Sequence, residues 1–328
     1  MPRIYQPGQR IDHYEIICLL GQGGASHVYL AQDCHALQEV VLKFPDDDVI
    51  GGAAIFARYR REAEIGNRLE HPHMQRHLNR GEERSAEYLV LEYLRGRTLR
   101  TVMKEYVSAL LPTGEVLHIL LQVCEALAYA HERGVIHRDI KPENIMLLDN
   151  GEIELLDFGI ALLDGERRVN WPGFSPSIGT PEYMAPERLE GKPGDARADS
   201  YAVGVVLYEL LCGRPPFKEK DGFAVINRHI SHDPPGILEF NPDLSPALVT
   251  VLMRAIRRDP DRRYACMRDM LHDLLHFDSV TAEDYLPDRP KFGGRYRQAI
   301  RIALIVLLVC LCIVAFGLLA QFAHPVAR

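Results

Sequence analysis

The sequence predicts an α+β protein, with a small β-rich part first, a larger helical part after it and a membrane-crossing helix near the C-terminus. Three features predict this. Short apolar runs, several with period-two alternation, dominate up to residue 94. Helical periodicity takes over from residue 95 to about residue 277. Residues 302–323 are uncharged and strongly apolar. As a helix that run would measure about 33 Å, enough for a hydrocarbon core of roughly 30 Å.

The bulk numbers fit this outline. The chain has 328 residues, 47% hydrophobic and 25% charged, enough for a sizeable core. A net charge of -7 argues against a broad nucleic-acid footprint, which needs a basic surface. The 7 cysteines contain no CxxC pair, so neither a zinc site nor a disulfide framework is expected. The first residues lack an apolar stretch, so no signal peptide is expected.

In chain order, residues 11–20 read as a first strand that leads into Gly21-Gln22-Gly23-Gly24-Ala25-Ser26-His27-Val28. Val28 to Ala31 read as the return strand of a hairpin. Glycines at its tip let backbone N–H groups approach a phosphate. Val40 to Phe44 form an apolar strand interrupted by Lys43. From about Ala53 to Leu69 the pattern is helical, with Ile55, Tyr59, Glu62 and Leu69 on one face. Glu64 falls instead beside Arg60, Arg61 and Arg68, a charged outer face. The spacing therefore selects Glu62 as the inward carboxylate. Tyr88 to Leu94 read as a buried strand, and Glu115 to Arg133 as an apolar-faced helix stopped by Gly134.

Next comes His137-Arg138-Asp139-Ile140-Lys141-Pro142-Glu143-Asn144, a loop rich in charge around a helix-breaking proline. The hairpin after it, with an Asn150-Gly151 turn, ends at Asp157-Phe158-Gly159. It brings Asn144 and Asp157 together, so a carboxamide and a carboxylate can share a metal ion. Residues 160–178 are polar, with several glycines and prolines, and read as a mobile loop. Gly179 to Glu187 follow, then a nearly all-apolar helix opened by Asp199.

These motifs, in this order, resemble the signature set of a protein kinase, over residues 14–277. Arg61-Glu62-Ala63 and Asp157-Phe158-Gly159-Ile160-Ala161 resemble the Hanks-type serine/threonine kinases of bacteria, in a single-pass membrane form. The resemblance implies a bilobal fold, with an N-lobe over 11–94 and a C-lobe over 95–277. An N-terminal segment (1–10) would precede it. A juxtamembrane linker (278–301), the span (302–323) and a short tail (324–328) would follow.

The resemblance also assigns roles. Asp139 would be the base that accepts the substrate hydroxyl's proton, and Lys141 would neutralise the transferring phosphate. Lys43, held by Glu62, would grip the phosphates of ATP. Asn144 and Asp157 would bind Mg2+. Gly21, Gln22, Gly23, Ser26 and Val28 would cover the nucleotide. Leu91 would be the gatekeeper, the backbones of Glu92 and Leu94 would bond adenine, and Met146 would complete the nucleotide site. Leu42 is read as replacing a customary alanine and crowding the adenine pocket, and Ser26 replaces a third glycine. Glu187 would pair with Arg263. Lys141 and the 179–187 segment resemble serine/threonine-specific enzymes, with Thr180 helping to seat the substrate.

The function expected is transfer of the ATP γ-phosphate to serine or threonine hydroxyls of protein substrates. Two alternatives are weighed. A membrane-anchored pseudokinase scaffold would lack Lys43, Asp139 or Asp157, and all three are present. A small-molecule kinase would lack the 179–187 segment. Arg138, beside the catalytic aspartate, points to activation by a phosphate on the mobile loop, at Ser175 or Ser177. Arg295, Arg297 and Arg301 precede the apolar run, which places the kinase domain in the cytoplasm at the cell membrane. Gly317 and Ala320 suit helix pairing, and a homodimer would serve autophosphorylation.

Overall fold

A computed structural model gives the architecture; it describes residues 4–22, 26–45, 62–78, 84–106, 110–157, 162–163 and 181–281. The first lobe is a five-stranded antiparallel sheet in sequence order: β1 (Arg10–Ile11), β2 (Tyr14–Gln22), β3 (Ser26–Asp33), β4 (Gln38–Pro45) and β5 (Leu89–Glu92). The single strand expected at 11–20 is two, because Asp12 takes a left-handed turn at φ 52°. Asp12 is held there by Tyr88 Oη and by the Ser85 N–H at 3.2 Å. Helix α1 is described over residues 62–66.

The sheet's two faces carry different cores. Ile11, Tyr14, Tyr29, Leu42, Phe44, Tyr88 and Val90 fill one. Val41, Leu89 and Leu91, with Val28 packed against them, fill the other. Successive strand residues point to opposite faces, so Lys43 shares a face with Val41 and not with Leu42. The reading of Leu42 as a wall of the adenine pocket is therefore corrected. Leu42 is fully buried in the outer core, and Val41 is the side chain on the face of Lys43.

The second lobe is mainly helical. Short β6 (Gly96–Thr98) runs into α2 (Leu99–Glu105), then α3 (Thr113–Glu132). Beyond Arg133, Gly134 at φ 72° closes α3 in the left-handed conformation that suits glycine. Strand β7 (Val135–Ile136) is followed by the hairpin β8 (Ile145–Leu148) and β9 (Ile153–Leu155). Gly151 turns that hairpin at φ 88°. The backbone of β10 (Leu162–Leu163) pairs with β7.

Then come α4 (Pro186–Leu189), α5 (Arg197–Cys212), α6 (Gly222–Ser231), α7 (Pro246–Ala255) and α8 (Met267–Leu275). Helix α5 is buried from Ala198 to Leu211, which explains why its sequence shows no polar face. At Gly204 an added Cβ would lie 2.8 Å from Ala255 Cβ, so only glycine lets α5 lie this close to α7. Among the described residues no helix is long and apolar enough to cross a membrane; residues 302–323 lie outside them.

Two buried polar features lock this lobe. Arg263 meets Glu187 with a two-pronged pair at 2.8 and 2.7 Å, and its Nε donates to Arg257 O at 2.6 Å. The Arg263 side chain is 0% exposed. Glu187→Ala strands that cation, so it should cost about 3–5 kcal/mol, read as a fall in denaturant midpoint.

His229 packs between Phe217 and Tyr201, with Nδ1 2.7 Å from the Tyr201 hydroxyl. Burial pushes its imidazole down to about 3. The unfolded chain therefore binds a proton there that the folded chain does not, and stability drains away as pH falls from about 6.5 toward 3. Urea midpoints across that window should fall less steeply in His229→Gln than in the parent, by up to about 1.4 kcal/mol per pH unit.

Candidate active site

The loop between β7 and β8 is held from below by Asp199, at the start of α5. This fully buried carboxylate accepts from the Arg138 N–H at 2.8 Å, the His137 N–H at 2.9 Å and His131 Nε2 at 2.8 Å. Burial would raise its pKa, but these partners hold the carboxyl below the usual range. Arg138 sits at φ 70°, an uncommon backbone for a large side chain. That turn sends the Asp139 N–H back to His137 Nδ1 at 3.3 Å, while His137 Nε2 lies 3.1 Å from Leu156 O.

Asp139 is thereby presented to a ring of donors. Lys141 Nζ lies 2.7 Å from Asp139 Oδ2, and Asn144 Nδ2 lies 2.9 Å from the same oxygen. Asn144 Nδ2 also reaches Asp139 O at 2.8 Å. Both side chains address Oδ2, and Oδ1 takes neither. The hairpin closes the geometry: Ile145 faces Leu155, and the Leu156 N–H donates to Asn144 O at 2.9 Å. Asn144 and Asp157 therefore issue from adjacent ends of one hairpin.

Lys43 joins this floor to the upper sheet. Its Nζ lies 2.7 Å from Glu62 Oε1 and 2.9 Å from Asp157 Oδ1. Burial alone would lower the ammonium's pKa, but the two carboxylates more than reverse this and hold it above the ordinary lysine range. Glu62 is buried, whereas Glu64 pairs with Arg68 at 2.6 Å on the exposed side. The structure thus places Glu62 inward and Glu64 outward, as the helical spacing requires. Asp157 adopts φ 60°, and its side chain is 44% exposed.

Behind Lys43 lies His77, which the sequence reading did not single out. Burial, reinforced by the Lys43 ammonium, pushes its imidazole down to about 4. It fits because residue 66 is glycine: an added Cβ would sit 2.2 Å from the His77 ring.

At the edge of the cleft, the Glu92 N–H donates to Arg76 O at 3.0 Å, and the Arg76 guanidinium grips the Glu92 carboxylate at 2.7 and 2.7 Å. No hydrogen bond among the described residues takes the Leu94 N–H. Glu154, close by, is pushed up to about 7 by burial and by Glu92. Met146 lies on β8 opposite Glu154. Gly21, Gln22, Ser26 and Val28 lie on the β2–β3 hairpin, where Gly21 pairs with Val28. Gly23, Phe158, Gly159, Ser175, Ser177 and Thr180 lie outside the described residues.

The donor set fits a hard divalent cation. Asn144 turns its amide nitrogen to Asp139, leaving its oxygen available, and Asp157 offers an accessible carboxylate. Magnesium is commonly held by one or two carboxylates together with substrate phosphates.

A match to the protein kinase domain spans residues 14–275. The chain belongs to the protein kinase family. It is 38% identical over 271 residues to the probable serine/threonine-protein kinase PknB of Corynebacterium glutamicum, covering 80% of this chain and 42% of that one. It is 34% identical over 270 residues to the serine/threonine-protein kinase PrkC of Bacillus subtilis, covering 81% and 41%. The chain thus matches less than half the length of these curated relatives. Its fold is similar to the crystal structure of the Mycobacterium tuberculosis PknI kinase domain, with a TM-score of 0.66, 30% identity, 84% of this chain covered and 100% of that one.

Two residues of this site escaped the sequence reading for the same reason. Asp199 and His77 act through partners distant in the chain. A lone acid opening an apolar helix was the signal for Asp199. The signal for Gly66 and His77 was a glycine inside a helical run. Gly66→Ala must displace His77 or α1, so it should lower stability by about 1–3 kcal/mol and raise the KM for nucleotide. Thermal unfolding and initial-rate kinetics on the same preparation check both.

Proposed function

We propose that this chain is an ATP-dependent serine/threonine protein kinase. The observation that carries the reading is the convergence of Lys141 Nζ and Asn144 Nδ2 on Asp139 Oδ2. It fixes one carboxylate oxygen and leaves Oδ1 to meet a substrate hydroxyl. Asp139 orients that hydroxyl and accepts its proton as the oxygen attacks the γ-phosphorus. Lys141, which is itself held by Asp139, offsets charge on the transferring group. Lys43, positioned by Glu62, grips the α- and β-phosphates.

Asn144 and Asp157 would hold Mg2+, which would supply charge neutralisation at the phosphate oxygens. Gly21, Gln22, Gly23, Ser26 and Val28 cover the nucleotide. The Glu92 carbonyl and the Leu94 N–H meet the adenine edge, with Met146 below. That no hydrogen bond among the described residues takes the Leu94 N–H supports this placement.

The finer parts of the reading rest on sequence. Residues 302–323 form a single membrane span, the preceding arginines keep the kinase domain in the cytoplasm, and residues 278–301 are the linker. The partners are protein substrates, the bilayer and a second copy of the chain. Autophosphorylation falls on Ser175 or Ser177, where the phosphate is met by the Arg138 side chain.

Transfer of radiolabelled γ-phosphate from ATP to a generic protein should be readily measured for the wild type and fall by about 10²–10⁴-fold in Asp139→Asn. A wild-type chain that binds ATP and never transfers would overturn the enzyme reading in favour of a scaffold.

A further inference from the structure

The hinge acceptor is already in use. Gln75 Nε2 lies 2.8 Å from the Glu92 carbonyl oxygen, the atom that the proposed function assigns to the exocyclic amino group of adenine. Nothing in this arrangement is loose. The Gln75 N–H is anchored on Leu155 O at 3.0 Å, and the following residues pair with β5 through Leu78 N–H to Val90 O at 2.8 Å. Glu92 is fixed from the same side, by Arg76 O on its N–H and by the Arg76 guanidinium on its carboxylate. The carbonyl cannot swing toward a ligand without breaking these contacts.

We propose that Gln75 competes with the 6-amino group of an incoming purine for the Glu92 carbonyl, so that nucleotide recognition rests mainly on the Leu94 N–H. This deepens the kinase reading and rests on it. A carbonyl oxygen has two lone pairs, but a second donor must share an acceptor that Gln75 already engages at 2.8 Å. The 6-amino group then gains little on leaving water, because it exchanges a full hydrogen bond there for a shared one here. An adenine analogue without that group should lose correspondingly little.

The test uses the full chain and two phosphoryl donors: ATP, and purine riboside triphosphate, which differs from ATP in lacking the 6-amino group. In the wild type the two KM values should agree within about threefold. Gln75→Leu frees the acceptor. It should lower the KM for ATP about three- to tenfold, leave the KM for the analogue within about twofold and leave kcat unchanged. Gln75→Met, which is flexible and equally unable to donate, should behave alike and guards against a folding defect in the leucine variant.

If both KM values move by the same factor, Gln75 acts through packing and the proposal is overturned. An unchanged or raised KM for ATP overturns it as well. Calorimetric affinities of the same nucleotides for the same variants carry the test independently of turnover. If they follow the expected pattern while no phosphate is transferred, the function is wrong and the hinge assignment stands.

Discussion

One buried carboxylate organises the lower half of the site. Asp199 is completely enclosed, and an ion there is costly unless donors surround it. It has three, two from the backbone of the loop and one from α3. The same contacts that satisfy Asp199 use up the N–H groups of His137 and Arg138, which buried backbone would otherwise leave unmet. They also fix Arg138 at its positive φ, because the peptide must turn to bring both N–H groups to one side chain. Asp139 is aimed by that turn. The position of the proposed base thus follows from a residue about sixty positions later in the chain.

The upper half depends on a different economy of charge. Lys43 stands between Glu62 and Asp157, one cation against two carboxylates, in a place from which water is largely excluded. The lysine ties α1 and the sheet to the end of the β8–β9 hairpin. Asp157 is the most exposed member, with a strained backbone at φ 60°. Strain of about 1–3 kcal/mol persists only where surrounding contacts over-determine the conformation. Here the Leu156 N–H on Asn144 O and the Lys43 pair supply them.

What the sequence made legible was local. Periodicity separated the sheet from the helices, placed Glu62 inward and Glu64 outward, and found the hairpin that unites Asn144 with Asp157. Failures arose where a local rule met a distant partner. The strand at 11–20 breaks because Asp12 is captured by Tyr88 and Ser85, more than seventy residues away. Leu42 was placed in the wrong layer by reading a motif letter in place of the strand's period of two. Gln75 was invisible because a glutamine in a short polar-flanked run has no preferred partner until the fold supplies the Glu92 carbonyl. Gly66 and His77 form a pair whose members mean little apart.

A common logic connects these details. A polar group can be aimed by saturating it from one side. Asp139 Oδ2 receives two donors and Oδ1 is turned outward; the Asn144 amide nitrogen is engaged and its oxygen is left. At the hinge the Glu92 N–H and side chain are both held, while no hydrogen bond among the described residues takes the Leu94 N–H. Three of the atoms given chemical work in the proposed reaction, Asp139 Oδ1, the Asn144 amide oxygen and the Leu94 N–H, are ones that the hydrogen bonds among the described residues leave over. Gln75 is the exception that tests this logic, since it saturates the very atom a purine would seek. A site that satisfies its own acceptor gives up base affinity at that atom, and the neighbouring Leu94 donor is left to carry recognition.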